Sequence, residues 1–351
     1  MVAIRLGLPQ FPARMTHLRG LLVSLSGILL ALVVGGLLVL IAGGDPVLAF
    51  LTMFSGSLGS IFSIGQLLFQ ATPLLIIGLG LALAFRGRVY NIGAEGQLFM
   101  GALAGGSLVL TVHTNAVLMT SLAMVGGLIG GALWGGLVGM LRGRWSVNEV
   151  ISSLLLNYVA IFLFSYLIRG PLADPSAGAT GNLASWAIPP STRLPTLPYL
   201  FVHVGLLIAL ALVPILGYIE GKTPFGFKVR MMGLNPEAAQ AAGVDIGRLI
   251  VRLMLISGGL AGLAGIIQVL GTEGRLELGI SQSYGYTAIV VALLGRLRAP
   301  GVLLAALFVA FLNVGGQAMS VENGLPYSIV LAIQGLFVLF VLIADRMSRA
   351  S

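Results

Sequence analysis

Apolar runs of about 20 residues, the length that crosses a bilayer as α-helix, recur along this chain from Leu21 to Ile343. A segment in lipid must satisfy its backbone hydrogen bonds internally, which leaves helices or a closed β-barrel. Barrel strands alternate apolar and polar residues. These runs do not alternate, so the expectation is helical. Composition agrees, because 58% of the 351 residues are hydrophobic and 9% are charged, whereas a soluble domain has about a quarter charged. The chain reads as an all-α polytopic membrane protein. Its single transmembrane domain covers residues 21–345, with a cytoplasmic N-terminal segment at 1–20 and a cytoplasmic tail at 346–351.

Ten spans are expected, at 21–42, 66–85, 97–112, 116–141, 148–168, 199–219, 249–270, 284–297, 302–319 and 326–343. Ten crossings place both termini on one side. Every Lys and Arg except Arg169, Arg193 and Arg275 then falls on that side. Basic excess marks the cytoplasmic face, so the termini are expected there. Asp45, Asp174, Glu273, Glu277 and Glu322 fall outside. The net charge of +8 is thereby explained by topology. A nucleic-acid surface would need a basic patch interleaved with aromatics, and these cations sit singly or in pairs at span ends. The first apolar run follows Arg5, Arg14 and Arg19 and lacks a cleavage site, so it reads as an uncleaved signal anchor.

Several segments are not simple crossings. Residues 45–65 carry Gly56, Ser57, Gly59 and Ser60 and suit an outer interfacial or re-entrant element. Residues 86–97 set Asn91, Glu95 and Gln97 among Gly93 and Gly96, the pattern of a broken helix lining a cavity. The run at 284–297 is short enough to be re-entrant. An outer loop at 169–198, rich in proline and containing Trp186, has room for a short surface helix. On the basic side, residues 220–248 form one long polar loop. Within it Asn235 suits an N-cap, Pro236 the first helical position and Glu237 the positive helix end; Ala238 and Ala239 propagate, and Gly243 stops the helix. A helix that short does not stand alone in water, so it must lie against a span, the lipid surface or a docking protein.

Reaction chemistry is missing from the pattern. The segment from Gly217 through Lys222 and Thr223 imitates the end of a phosphate-binding loop, but its first glycine is displaced and it follows a membrane span instead of a strand. His17, His113 and His203 are scattered without ligand spacing, there is no cysteine, and neither a nucleophile elbow nor paired intramembrane aspartates occur. No metal site, bound cofactor or enzymatic activity is expected. Gly127, Gly131, Gly135 and Gly139 repeat every fourth residue and mark close helix packing, within the chain or at a subunit interface.

Intramembrane polar groups remain as candidates for a pathway. Asn91, Glu95, Gln97, Asn157 and Gln268 are the candidates for a translocation path, and Tyr158, Gln282, Tyr284 and Tyr286 lie near them in sequence. Glu95 has a second reading as the partner of Arg86 or Arg88, and Glu149 as an interfacial ion pair with Arg142 or Arg144. Neutral amides and hydroxyls suit an uncharged polar solute. The spans lack the acid-base ladder of a proton-driven pump.

Four stretches, RVYNIGAEGQLFMGA at 88–102, NEVISSLLLNY at 148–158, GLNPEAAQAAG at 233–243 and YGYTAIVVALLG at 284–295, together resemble inner-membrane permease subunits of ABC importers. The group is the one handling ribose, branched-chain amino acids and nucleosides, with the nucleoside permeases most similar. The resemblance implies a type II-like permease paired with a second, related permease, two cytoplasmic ATPase subunits that bind ATP and Mg, and an external substrate-binding lipoprotein. It implies alternating access in a bacterial inner membrane. It also places Gly233, Asn235, Pro236, Glu237, Ala238, Ala239 and Gly243 at the ATPase-docking positions of a coupling helix. A ribose, simple-sugar or branched-chain amino acid permease is the alternative within the group, and a secondary carrier without an ATPase is the alternative outside it.

Overall fold

The structure is a computed structural model that describes Gly27 and residues 29–112, 114–175 and 184–350. The segment 1–20, the start of the first expected span, His17 and His113 lie outside the described residues. The described chain consists of helices α1 (Leu29–Ile41), α2 (Pro46–Leu58), α3 (Ile61–Arg86), α4 (Ala94–Thr111), α5 (Ala116–Trp145), α6 (Glu149–Arg169) and α7 (Gly205–Lys222). These are followed by α8 (Pro224–Leu234), α9 (Pro236–Ala241), α10 (Ile246–Gln268), α11 (Tyr284–Leu294), α12 (Ala299–Asn323) and α13 (Tyr327–Ala350). Among the described residues, extended pairing is limited to three isolated bridges, Ala173 with Ser185, Ala184 with Glu277 and Thr196 with His203.

Each expected span corresponds to a helix, but not every helix can cross alone. Seven are long and apolar enough, and α1 with α2, bent by 114° at their junction, would make eight as one broken span. The bend at Gly43, Gly44 and Asp45 gives the 45–65 segment its off-axis helix. Helix α11 has 11 residues, about 16 Å of rise, which is half a hydrocarbon core. Helix α4 opens on Glu95 and Gln97 and falls short in apolarity.

The described residues divide into two compact units, one containing those up to Ser57 and from Leu312 onward, the other those of Leu58–Phe311. In the first, Phe50 meets Phe337 edge to face with centroids 6.4 Å apart, and the Gln334 amide donates to the Leu312 carbonyl at 2.8 Å. The second holds the site. Its inner helices are α3 and α10, whose most apolar stretches are 89% buried, whereas those of α5 and α7 are 22% buried.

Glycine makes that inner packing possible. A β-carbon at Gly262 of α10 would meet the backbone of Gly127 and Gly131 on α5, and one at Gly265 would meet Leu98 on α4. Gly131 and Gly135 abut the Gly258 and Met254 backbones, and Gly139 faces Val251 and Met254. The four-residue glycine stripe of α5 therefore seats on α10 of the same chain, where small residues let backbones touch.

The outer loop is laced to the segment after α10. Ser185 N donates to the Leu276 carbonyl and the Ser185 hydroxyl accepts from Leu276 N, while Ile188 donates to Gly274 and Leu194 to Leu270. Among the described residues of this loop is a 3-10 turn at Pro190–Thr192, and Trp186 is exposed; residues 176–183, which also have room for a short helix, lie outside the described residues.

Candidate functional site

The polar loop at 220–248 contains two helices where the sequence pointed to one. Helix α8 was not anticipated, although its start was legible: the Thr223 hydroxyl accepts from Gly226 N at 3.2 Å, and Pro224 occupies the first helical position. Asn235 ends α8 and caps α9, its side chain accepting from Glu237 N at 3.0 Å and Ala238 N at 3.1 Å. Gly243 ends the motif with φ +82°, a conformation glycine adopts without strain. Along α9 only Ala239 is buried. Pro236, Glu237 and Ala238 are exposed, and beside them Leu234 is 81% exposed.

This exposed helix has a rigid mounting. Gly233 lies so close to the Arg86 carbonyl at the end of α3 that no side chain fits between. The Arg86 guanidinium pairs with Glu220 at the end of α7, and Arg230 of α8 donates to the Glu220 carbonyl. On the far side Val244 is buried and Asp245 caps α10, accepting from Arg248 N at 2.9 Å. Helix α9 is thus mounted, through α8 and these contacts, on the ends of α3, α7 and α10.

The second constellation lies deeper, at the non-helical link between α3 and α4. Asn91 and Gln97 form a reciprocal amide pair, with Asn91 Nδ2 to Gln97 Oε1 at 2.8 Å and Gln97 Nε2 to Asn91 Oδ1 at 3.0 Å. Asn91 also donates to Ser257 of α10 at 2.9 Å, and Ser153 of α6 accepts from Ile92 N at 3.2 Å. Asn157 of α6 donates to the Ile92 carbonyl at 2.9 Å and accepts from Gly96 N at 2.8 Å. Because the N-cap Gly93 offers no side chain, Asn157 supplies the cap of α4 from another helix.

Glu95 departs from the reading that paired it with Arg86 or Arg88. Its carboxylate accepts from the Ser281 hydroxyl and from Gly285 N, the latter at 2.9 Å, at the start of α11. A carboxylate facing the positive end of a helix is well placed electrostatically. Glu149 does pair with Arg142, at 3.2 Å.

Asn91, Glu95, Gln97 and Asn157 are therefore all buried around the α3–α4 link, with Asn91 and Gln97 bonded to each other and Asn157 to the backbone on either side of Gly93. Gln268 is fully buried at the end of α10 and is not among their hydrogen-bond partners. The cluster reaches the surface through Tyr286, whose hydroxyl accepts from Asn157 at 3.2 Å, and beside Asn157 stands Tyr158, 54% exposed midway along α6. A tyrosine at that depth is unusual, since aromatic hydroxyls concentrate at the membrane interfaces. The sequence named both tyrosines without distinguishing them from buried neighbours, and only the fold shows Tyr158 exposed and Tyr286 half-buried.

A family model described as branched-chain amino acid transport system / permease component matches residues 63–344. The chain is similar to the glucose ABC transporter permease of Haloferax volcanii, 40% identical over 92% of this chain and 87% of that protein. It is similar to the guanosine ABC transporter permease of Bacillus subtilis, 36% identical over 93% and 94% respectively. A nucleoside ABC transporter permease of Lactococcus lactis is 30% identical over 92% of this chain and 91% of its own length.

Proposed function

Because the chain belongs to the family of branched-chain amino acid transport system permease components, we propose that it carries nucleosides inward by alternating access between two permease subunits. It is a permease subunit of an ABC importer, a multi-pass protein of the cell inner membrane, and it transports instead of catalysing. The nucleoside reading is supported by the guanosine and nucleoside relatives and by the uncharged amides and hydroxyls of Asn91, Gln97, Asn157 and Tyr286. The glucose relative favours a second reading, a simple sugar, which shares with nucleosides an uncharged, hydroxyl-rich surface.

The chain adopts a type II-like arrangement of ten crossings with both termini cytoplasmic, the threading that gathers its cations on one side. Two cytoplasmic ATPases bind ATP and Mg, a second, related permease completes the core, and an external binding lipoprotein delivers the cargo. Helix α9, through Gly233, Asn235, Pro236, Glu237, Ala238, Ala239 and Gly243, seats in the ATPase. The observation that carries this reading is the exposure of α9 on a mounting tied to α3, α7 and α10. The path passes the exposed edge of the cluster at Tyr158 and Tyr286. Asn91, Glu95, Gln97 and Asn157 hold that wall in place, and Gln268 lies further along it.

The test is to replace Glu237 and Ala238 with arginine. The expected outcome is loss of ATPase co-purification and of uptake, with the melting temperature of the permease unchanged because both side chains are exposed. Unaltered ATPase association refutes the docking role. Concentrative uptake by the reconstituted chain alone would refute the whole scheme in favour of a secondary carrier.

A further inference from the structure

Two apolar grooves flank Arg252 on α10. The first, about 650 Å³, lies between α5 and α10, with Leu133, Leu137, Met140, Val251 and Leu255 in its wall and Arg144 and Arg248 at its rim. The second, about 550 Å³, opens where α3, α7 and α8 meet α10, and Leu83, Leu216, Ile219, Phe225 and Ile256 line it. Arg252 and Leu255 belong to both. Gly136, Gly143 and Gly247 leave the first groove unfilled by side chains.

Charge and depth are set out along this surface. Arg248 is neutralised by Asp245 at 3.0 Å. Among the described residues neither Arg144 nor Arg252 has an acidic partner, and both are exposed. Next to Arg144 the Trp145 ring, 57% exposed, lies 5.7 Å from the guanidinium. An exposed tryptophan at a span end marks the headgroup level. From there the first groove runs along α5 to Leu133, about 16 Å into the apolar layer. What fills these grooves must be apolar in two places and anionic at one point between them. A water-soluble ATPase offers acids to the arginines but no apolar tails at that depth.

We propose that an anionic glycerophospholipid of the cytoplasmic leaflet straddles α10, with one acyl chain in each groove and its phosphate on Arg252 and Arg144. Basic pockets between membrane helices on the cytoplasmic side take anionic headgroups, and each apolar groove is of a size that holds one chain. The site rests on the cytoplasmic placement of this end and is independent of the cargo. It would tie transporter activity to the anionic lipid content of the membrane, because α9 is also mounted on α10.

The experiment is native mass spectrometry of the full chain with its co-purifying subunits, titrated with phosphatidylglycerol or phosphatidylcholine. Phosphatidylglycerol is expected to bind at least tenfold tighter. Arg144→Gln with Arg252→Gln lowers its affinity about 30-fold and leaves phosphatidylcholine unaffected. Leu137→Trp, which fills the first groove without touching a charge, weakens both lipids about fivefold or more. Equal retention of the two lipids overturns the proposal, as does displacement of phosphatidylglycerol by inorganic phosphate alone. Insensitivity to Leu137→Trp would reduce the effect to surface attraction and overturn the grooves. The chain has no cysteine, so Leu137→Cys gives a unique crosslinking point. Capture of a protein subunit there, instead of a photoreactive phosphatidylglycerol, assigns the groove to subunit contact and overturns the lipid.

Discussion

Asn157→Leu isolates the role of the buried cluster. Asn157 is fully buried and is the partner of two backbone groups outside any regular ladder, Gly96 N in the first turn of α4 and the Ile92 carbonyl in the α3–α4 link. Leucine keeps the branched four-atom outline, is bulkier, and bonds to neither. A buried group left unpaired loses about 1–3 kcal/mol, so the two together amount to about 2–6 kcal/mol. The apolar side chain returns about 1–2 kcal/mol through burial. Hydrogen bonds between membrane helices average only about 0.6 kcal/mol, because freed partners find others. Here Gly93 has no side chain to substitute, so the larger figure governs and the net loss is predicted at about 3 kcal/mol. The assay is reversible unfolding of the purified chain in mixed sodium dodecyl sulfate and maltoside micelles, followed by tryptophan fluorescence. Tyr158→Leu, exposed on the same helix, is the control and is expected to stay within about 0.5 kcal/mol. A loss below about 1 kcal/mol for Asn157→Leu would show that the link is held without it.

His203 lies in the non-helical segment between the outer loop and α7, 1% exposed, against Phe69, Gly205 and Gly271, with neither ring nitrogen bonded. Burial pushes its pKa from 6.5 down to about 4. The folded state therefore binds its proton less readily than the unfolded state. This stability is present in full above pH 6.5 and is lost as pH falls toward 4. The change amounts to about 3 kcal/mol, and melting curves of His203→Phe are expected to lack that slope. Gly262→Leu drives a side chain into the Gly127 and Gly131 backbones and should remove about 3 kcal/mol or more, seen as loss of monodisperse protein after extraction. Gly221→Leu, with no atom within 4 Å of its β-carbon, is expected to behave as the parent chain.

Much of the fold was legible because the solvent forces a simple rule: a long apolar run in lipid must be helix. Helix α9 was equally legible, since Asn235, Pro236, Glu237 and Gly243 form a complete local grammar whose meaning does not depend on the rest of the chain. Helix α8 obeyed the same grammar at Thr223 and Pro224, but the basic residues Lys228 and Arg230 made it read as loop. The orientation of the polar residues was not legible. Glu95 meets Ser281 and Gly285, and Asn157 meets Tyr286, across more than a hundred intervening residues. Nothing in the spacing of a helix that is apolar on every side says which amide turns inward. The glycine stripe on α5 announced close contact but not its partner, which required α10 to present Gly258 and Gly262 at matching height.

Where α4, α5 and α10 meet at glycine, main chain rests on main chain, and there are few rotatable groups to absorb sliding. Such a joint has one register, as a key has in a lock. Shear between these three helices would collide backbones within a single residue step, so they swing as a slab. Any relative motion in this unit must therefore be taken up at their margins, where the short helix α11 and the connecting loops lie.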